Sequence, residues 1–282
     1  MLYGVDVSQF QNVINWDELN AVSNFAIIRV AYGTMPDTQF MRNQSEARRV
    51  RASAGPLGIG YYYFAYPTLL DPVTSANYFC DAVEPLQAGE ILVLDLEGDI
   101  GQTPVAWSLS WLQQVEARTG VKSLMYLNQS LEQSLNWGAV VNNGNGLWLA
   151  RYDGDKTGIP VAVHWPIVAM KQWTDADHVS GISGNVDGDM FNGDFNQFYA
   201  YGYKSSPTIP QPSPPPVQPQ PTPPPIESPA PQPAPTPGPQ PQPTPPVETP
   251  PTPTPAPTPP PVITPKPTSF WQQLLAFLRK WL

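Results

Sequence analysis

Cysteine and histidine are nearly absent from this sequence: it has one of the former and two of the latter in 282 residues. The lone Cys80 excludes an intramolecular disulfide. Its neighbours Ala76, Tyr78 and Phe79 predict a helix side turned inward, with Cys80 a small core residue rather than a nucleophile. His164 and His178 lack paired-ligand spacing, and Asp187-Gly188-Asp189 lacks the spaced ligands and closing Glu of a calcium loop, so no metal site is expected. No Gly-x-Ser-x-Gly elbow or phosphate loop is present. Basic charge is also scarce, 14 Lys and Arg against 23 Asp and Glu, for a formal net charge of −9. The one basic cluster before the proline-rich region, Arg42, Arg48, Arg49 and Arg51, reads as a solvated helix face. A nucleic-acid partner would require a broad basic surface and is not expected. The N-terminus lacks a leader pattern, because Met1 runs at once into the strand-like Leu2-Tyr3-Gly4-Val5-Asp6-Val7. Synthesis in the cytoplasm is the corresponding expectation.

Proline is abundant, 39 residues, but it is concentrated between Pro207 and Pro267. The composition therefore divides the chain into residues 1–204, 205–268 and 269–282. The first segment has the length and apolar content to fold alone as a monomer. The second, made of Pro, Gln, Thr and Ala, cannot bury enough surface to offset its ordering entropy and reads as a disordered tether. Its sixty or so residues would reach on the order of 190 Å as polyproline II. In the third, Trp271, Leu274, Leu275, Leu278, Trp281 and Leu282 share one side at helical spacing, while Gln272, Gln273, Arg279 and Lys280 fall away from it. Such an amphipathic helix would be about 20 Å long, too short for a bilayer core of roughly 30 Å. Interfacial contact with an envelope membrane through residues 270–282 is favoured over docking or self-association, because paired tryptophans suit an interface.

Within residues 1–204, strand-like and helical patterns alternate. Strands are predicted over 2–7, 25–31, 57–64, 91–96, 123–126, 147–151, 167–173 and 184–191. Helices are predicted over 16–22, 39–54, 72–83 and 104–119. Continuous apolar runs such as Ile91-Leu92-Val93-Leu94 are how strands covered on both faces read, which favours a parallel sheet wrapped by helices. The fold class is therefore α/β, an irregular (β/α) TIM-like barrel whose later units are short on helix.

Asp95-Leu96-Glu97 ends one of these runs. Positions i and i+2 of a strand share a face, so both carboxyls point the same way. Two like charges so close raise one pKa and keep one group protonated, the condition for a general acid in glycosidic cleavage. Asp6 and Asp187 are read as lying near the C-terminal ends of two further strands, the face on which barrel enzymes build their sites. Tyr32, Tyr61, Tyr63, Tyr126, Trp148 and Trp173, within or just after strands, are candidate platforms for the flat C–H faces of sugars. A non-catalytic glycan-binding module is the alternative reading, and the intact acid set argues against it.

These residues lie in motifs that resemble the glycoside hydrolase family 25 lysozymes, the N-acetylmuramidases common among phage endolysins. The resemblance is carried by Gly4-Val5-Asp6-Val7-Ser8-Gln9-Phe10-Gln11, Phe25-Ala26-Ile27-Ile28-Arg29-Val30-Ala31-Tyr32-Gly33 and Gly60-Tyr61-Tyr62-Tyr63-Phe64. It continues through Leu94-Asp95-Leu96-Glu97, Leu147-Trp148-Leu149-Ala150, Lys171-Gln172-Trp173 and Gly181-Ile182-Ser183-Gly184-Asn185-Val186-Asp187. It implies retaining hydrolysis of the β-1,4 bond from N-acetylmuramic acid to N-acetylglucosamine in bacterial peptidoglycan, with lysis of the cell wall as the outcome. It would make Glu97 the general acid and base, and Asp95 the group that orients or stabilises the 2-acetamido group. Asp6 and Asp187 would line the cleft, hold the substrate and tune Glu97, and the resemblance implies no metal or organic cofactor. The chain departs from the family pattern at Tyr62, where a histidine is frequent, and at Arg151 and Gly188-Asp189.

The tail reading is tested by deleting residues 269–282. Binding to liposomes is expected to fall while hydrolysis of soluble glycan stays unchanged. Loss of oligomeric mass in solution would favour docking instead.

Overall fold

The structure, a computed structural model, describes residues 1–204, and the tether and C-terminal helix expected over 205–268 and 269–282 lie outside the described residues. Strands form where apolar runs meet β-branched and aromatic residues: β1 (Leu2–Val7), β2 (Phe25–Tyr32), β3 (Met35–Pro36), β4 (Gly58–Phe64) and β5 (Ile91–Asp95). β6 (Leu124–Asn128), β7 (Leu147–Ala150), β8 (Val168–Asp177) and β9 (Val186–Phe191) follow. The sheet order is β1-β9-β8-β7-β6-β5-β4-β2-β3, and pairing of β1 with β2 closes eight of these strands into a barrel. The two-residue β3 is a hairpin appended to β2.

The helices expected from the sequence are present as α1 (Trp16–Val22), α2 (Phe40–Ala54), α3 (Pro72–Val83) and α4 (Pro104–Thr119). Their ends follow capping rules. The Asn15 side chain accepts from the Glu18 amide, and Asp71 accepts from the Val73 and Thr74 amides ahead of Pro72. Between β6 and β7 lie only the short α5 (Gln129–Ser134) and α6 (Gly138–Asn142), and among the described residues no helix joins β7 to β8 or β8 to β9. The later units are thus short on helix, as their sequence suggests.

One expectation of the sheet is corrected. It is not wholly parallel, because β9 runs antiparallel to both β8 and β1. A short connection from β8 leaves no room for a crossover helix, so the chain returns as a hairpin partner instead. The basic face of α2 is corrected as well. Arg48 and Arg51 are largely covered and reach the fully buried Glu90, which Arg48 grips through both carboxylate oxygens at 2.7 Å. Tyr61 also donates to Glu90, at 2.9 Å. A buried carboxyl just before a barrel strand needs such partners, and α2 supplies two of them.

Alternation along each strand sorts the core into two layers. Ile59, Tyr61, Tyr63, Leu92, Leu94, Met125 and Leu149 face the helices, and Cys80 is buried among them on α3. Phe25, Ile27, Tyr62, Phe64, Ile91, Val93, Leu124, Tyr126 and Trp148 fill the barrel interior. The floor, at the N-terminal ends of the parallel strands, is closed by Phe198 of the last helix, α7 (Phe195–Tyr201), which the sequence reading missed. Its ring lies 5.5 Å from Phe25 and 5.2 Å from Phe191. Gly58 makes room for it, since a Cβ there would meet that ring at 2.8 Å.

Phe198 is fully buried, so Phe198→Ala removes an aromatic plug that nothing nearby replaces. The variant is expected to lose about 3–5 kcal/mol of stability in denaturant melts.

Candidate active site

The opposite end of the barrel is polar. Continuing the inward alternation from Ile91 and Val93 brings Asp95 into the mouth, and Glu97 lies one further step along the same face. Asp6 stands at the equivalent level of β1, inward after Leu2 and Gly4. Asp187 reaches the mouth by a different route from the one expected. It is the second residue of β9, near that strand's N-terminal end, and the reversal of β9 brings it opposite Asp6. All four acids are near neighbours, since Asp95 feels the charges of Glu97, Asp6 and Asp187 together.

Few cations offset these charges. Among the described residues, none of the four makes a salt bridge, nor does Asp189. The consequence is a set of carboxyls that hold protons unusually well. Burial pushes Asp95 well above the usual carboxylate range, the charges of Glu97 and Asp6 add to the shift, and the Arg29 guanidinium opposes it. Burial alone holds Glu97 at about 7, although this side chain keeps some solvent access. Burial likewise raises Asp6, with the like charge of Asp189 adding to the shift, and raises Asp187, with the like charge of Asp6 adding to it. No group of three such side chains has metal-holding geometry among the described residues.

Side chains outside the expected set order this mouth. Gln172, inward on β8, donates from Nε2 to Asp6 Oδ2 at 2.6 Å. Its Oε1 accepts from the Tyr126 hydroxyl at 2.7 Å and from the Tyr152 hydroxyl at 2.8 Å. Three hydrogen bonds thus fix one amide. Tyr152 lies on the loop after β7, which is tethered by the buried Lys171 ammonium to Asp153 Oδ1 at 2.7 Å and to the Asp155 carbonyl at 2.8 Å. Arg29, inward on β2, donates from Nε to Asp37 Oδ2 at 2.8 Å and faces Asp95 and Tyr62. A register shift after Arg29 then turns Tyr32 toward the rim, where its ring lies 4.7 Å from Phe64 and 5.5 Å from Tyr66.

The aromatic expectations divide accordingly. Tyr126 and Tyr32 are at the mouth, and Trp148 is buried just inside it. Tyr61 and Tyr63 are not: they sit in the helix-facing layer, and Tyr63 donates to the Gly33 carbonyl at 2.9 Å. Only every second residue of Tyr61-Tyr62-Tyr63-Phe64 can face inward, and those are Tyr62 and Phe64. Trp173 is also displaced. It packs on Gly188, whose missing Cβ would meet the indole at 2.6 Å, and Gly188 faces oppositely to Asp187 and Asp189. Lys156 covers that indole at 4.2 Å.

Comparison with known proteins gives this arrangement its family. The family model described as glycosyl hydrolases family 25 matches residues 5–182, more than half of the chain. The chain belongs to glycoside hydrolase family 25. It is 29% identical over 223 residues to the uncharacterized protein YegX of Escherichia coli O157:H7, covering 73% of this chain and 76% of that protein. It is 26% identical over 210 residues to lysozyme M1 of Streptomyces globisporus, covering 67% of each. The bacterial lysozyme of Streptomyces coelicolor superposes with a TM-score of 0.61 at 25% identity, over 71% of this chain and 96% of that one. The match to the family 25 model stops before β9, so Asp187 and Asp189 lie beyond it.

Raised carboxyl pKa values couple folding to pH. The folded glycosidase retains protons that its unfolded chain releases above about pH 4, so these carboxyls contribute most to stability at acid pH and that contribution declines as pH rises through the folded values. The melting temperature is expected to be higher at pH 5 than at pH 8, and Asp95→Asn is expected to flatten that slope.

Proposed function

We propose that this family 25 glycosidase is a lysozyme that cleaves peptidoglycan at the β-1,4 bond from N-acetylmuramic acid to N-acetylglucosamine, with net retention. The observation that carries the reading is the Asp95–Glu97 pair, one carboxyl of which keeps its proton near neutrality. Glu97 donates that proton to the glycosidic oxygen as the bond breaks, and afterwards takes one from the incoming water. Its partial exposure suits a group that must meet both leaving group and water.

Asp95 has a different task. Its Oδ1 is buried without a hydrogen-bond partner among the described residues, which leaves an acceptor free for the N–H of a 2-acetamido group. Accepting there turns the acetamido oxygen toward the anomeric carbon, so that the substrate itself supplies the nucleophile. Arg29 favours the charged form of Asp95 during this step. Asp6 and Asp187 line the mouth beside the reacting sugar. Tyr32 and Tyr66 form one aromatic edge of the mouth and Tyr152, 46% exposed, forms another. Such an activity on the bacterial wall fits an endolysin of the phage type.

Glu97→Gln keeps the shape and removes the transferable proton. Release of new reducing muramic acid ends from purified wall is expected to fall by about 10²–10⁴-fold, and unchanged release would overturn the assignment. In the wild-type chain, kcat/KM is expected to decline as pH rises through about 7, because deprotonated Glu97 cannot act as acid.

A further inference from the structure

Asp189 is a buried acid that the proposed reaction does not use. It is inward on β9, 1% exposed, and pairs in register with Gln172 of β8 on one side and Gly4 of β1 on the other. Asp6, two residues beyond Gly4, is its diagonal neighbour on the same face, within reach of its carboxyl. Oδ1 of Asp189 accepts from the Trp148 indole at 3.0 Å, whereas Oδ2 is buried without a hydrogen-bond partner among the described residues. Asp6 in turn offers one oxygen to Gln172. Asp6 also hydrogen-bonds Asp187 on its other side, and with no cation on Asp6 or Asp189 a proton between those two carboxyls keeps bare oxygens from opposing each other.

We propose that Asp6 and Asp189 share one proton, and that Asp189 thereby acts as a positioning residue for the hydrolase, holding Asp6 on Gln172 and Gln172 on Tyr126 and Tyr152. The proposal rests on the glycosidase reading only for its effect on activity. The chain of contacts runs Trp148–Asp189–Asp6–Gln172–Tyr126/Tyr152, and each link leaves its partner one geometry. Without the proton the two carboxylates would repel and Asp6 would be free to leave Gln172. The amide would then be free to rotate, and the hydroxyl pair at the mouth would lose its anchor. Burial raises both carboxyls well above the usual range, consistent with retention of that proton at neutral pH. The other titratable groups facing the pair are Asp187 beside Asp6 on β9, Tyr62 from β4, Tyr126 from β6 and Tyr152 from the loop after β7. The Asp95–Glu97 pair approaches from β5, and Arg29 from β2 faces Asp95 and Tyr62. Of these only Arg29 is cationic, and it is engaged with Asp37.

Asparagine at this position reproduces the protonated acid: its oxygen accepts from Trp148 and its amide donates to Asp6. Asp189→Ala is expected to lower kcat/KM on purified wall at least tenfold at pH 6, and Asp189→Asn to recover activity to within about threefold of wild type. Melting curves from pH 5 to pH 8 provide a readout independent of activity. The wild-type pair loses stability as pH rises, while the asparagine donor cannot be titrated, so the Asp189→Asn protein is expected to gain roughly 2–4 °C or more on the wild type across that range. Parallel melting curves for the two proteins, or an Asp189→Asn variant as impaired as Asp189→Ala, would overturn the shared proton. Wild-type activity in Asp189→Ala would overturn the positioning role. Should Asp189→Ala fail to fold, the asparagine variant still decides. If the wild-type chain releases no reducing ends, the function reading fails by itself and the melting curves still test the proton.

Discussion

The insertion of one reversed strand between the first and the last parallel strands governs this molecule. β9 closes the barrel by pairing antiparallel with β1 on one side and β8 on the other. Because its direction is inverted, its beginning lies at the mouth where its parallel neighbours end. Asp187 and Asp189 therefore join Asp6 and Gln172 in a single layer, and the reversed strand's other end delivers Phe191 to the apolar floor. A parallel β9 would have put those acids at the opposite end of the barrel, away from Asp95 and Glu97.

From that closure follows an electrostatic arrangement that few soluble cores tolerate. Five carboxyls meet in one polar layer over an aromatic plug, and the described residues give none of them a cation in direct contact. Water is largely excluded from them, so the charge must be reduced by protons instead. The same condition that penalises the folded state at high pH is the one that keeps a carboxylic acid available for chemistry. Stability and function at this site are opposed through one set of groups.

Much of this was legible in the order of residues, because two of its determinants are local. Period-two alternation assigned Ile91, Val93, Asp95 and Glu97 to a single face, and caps such as Asp71-Pro72 set helix starts to within a residue. The strands of the barrel were each visible as apolar runs. The same alternation separates the aromatics: Tyr61 and Tyr63 flank the inward Tyr62 and so face the helices, and Trp173 follows the inward Gln172 and turns away from the mouth. Gln172 and Asp189 obey the same alternation as residues already chosen, so the signal for them was present in the sequence.

Local pattern therefore determined which residues form strands and which pair of acids shares a face, because those follow from the geometry of a single segment. Strand direction in the sheet, closure of the barrel and the partners of each buried polar atom were decided by tertiary structure alone. Nothing in Val186-Asp187-Gly188-Asp189-Met190-Phe191 distinguishes a parallel strand from an antiparallel one. That choice belongs to the short connection from β8 and to the empty place beside β1, both of which exist only once the rest of the chain is folded.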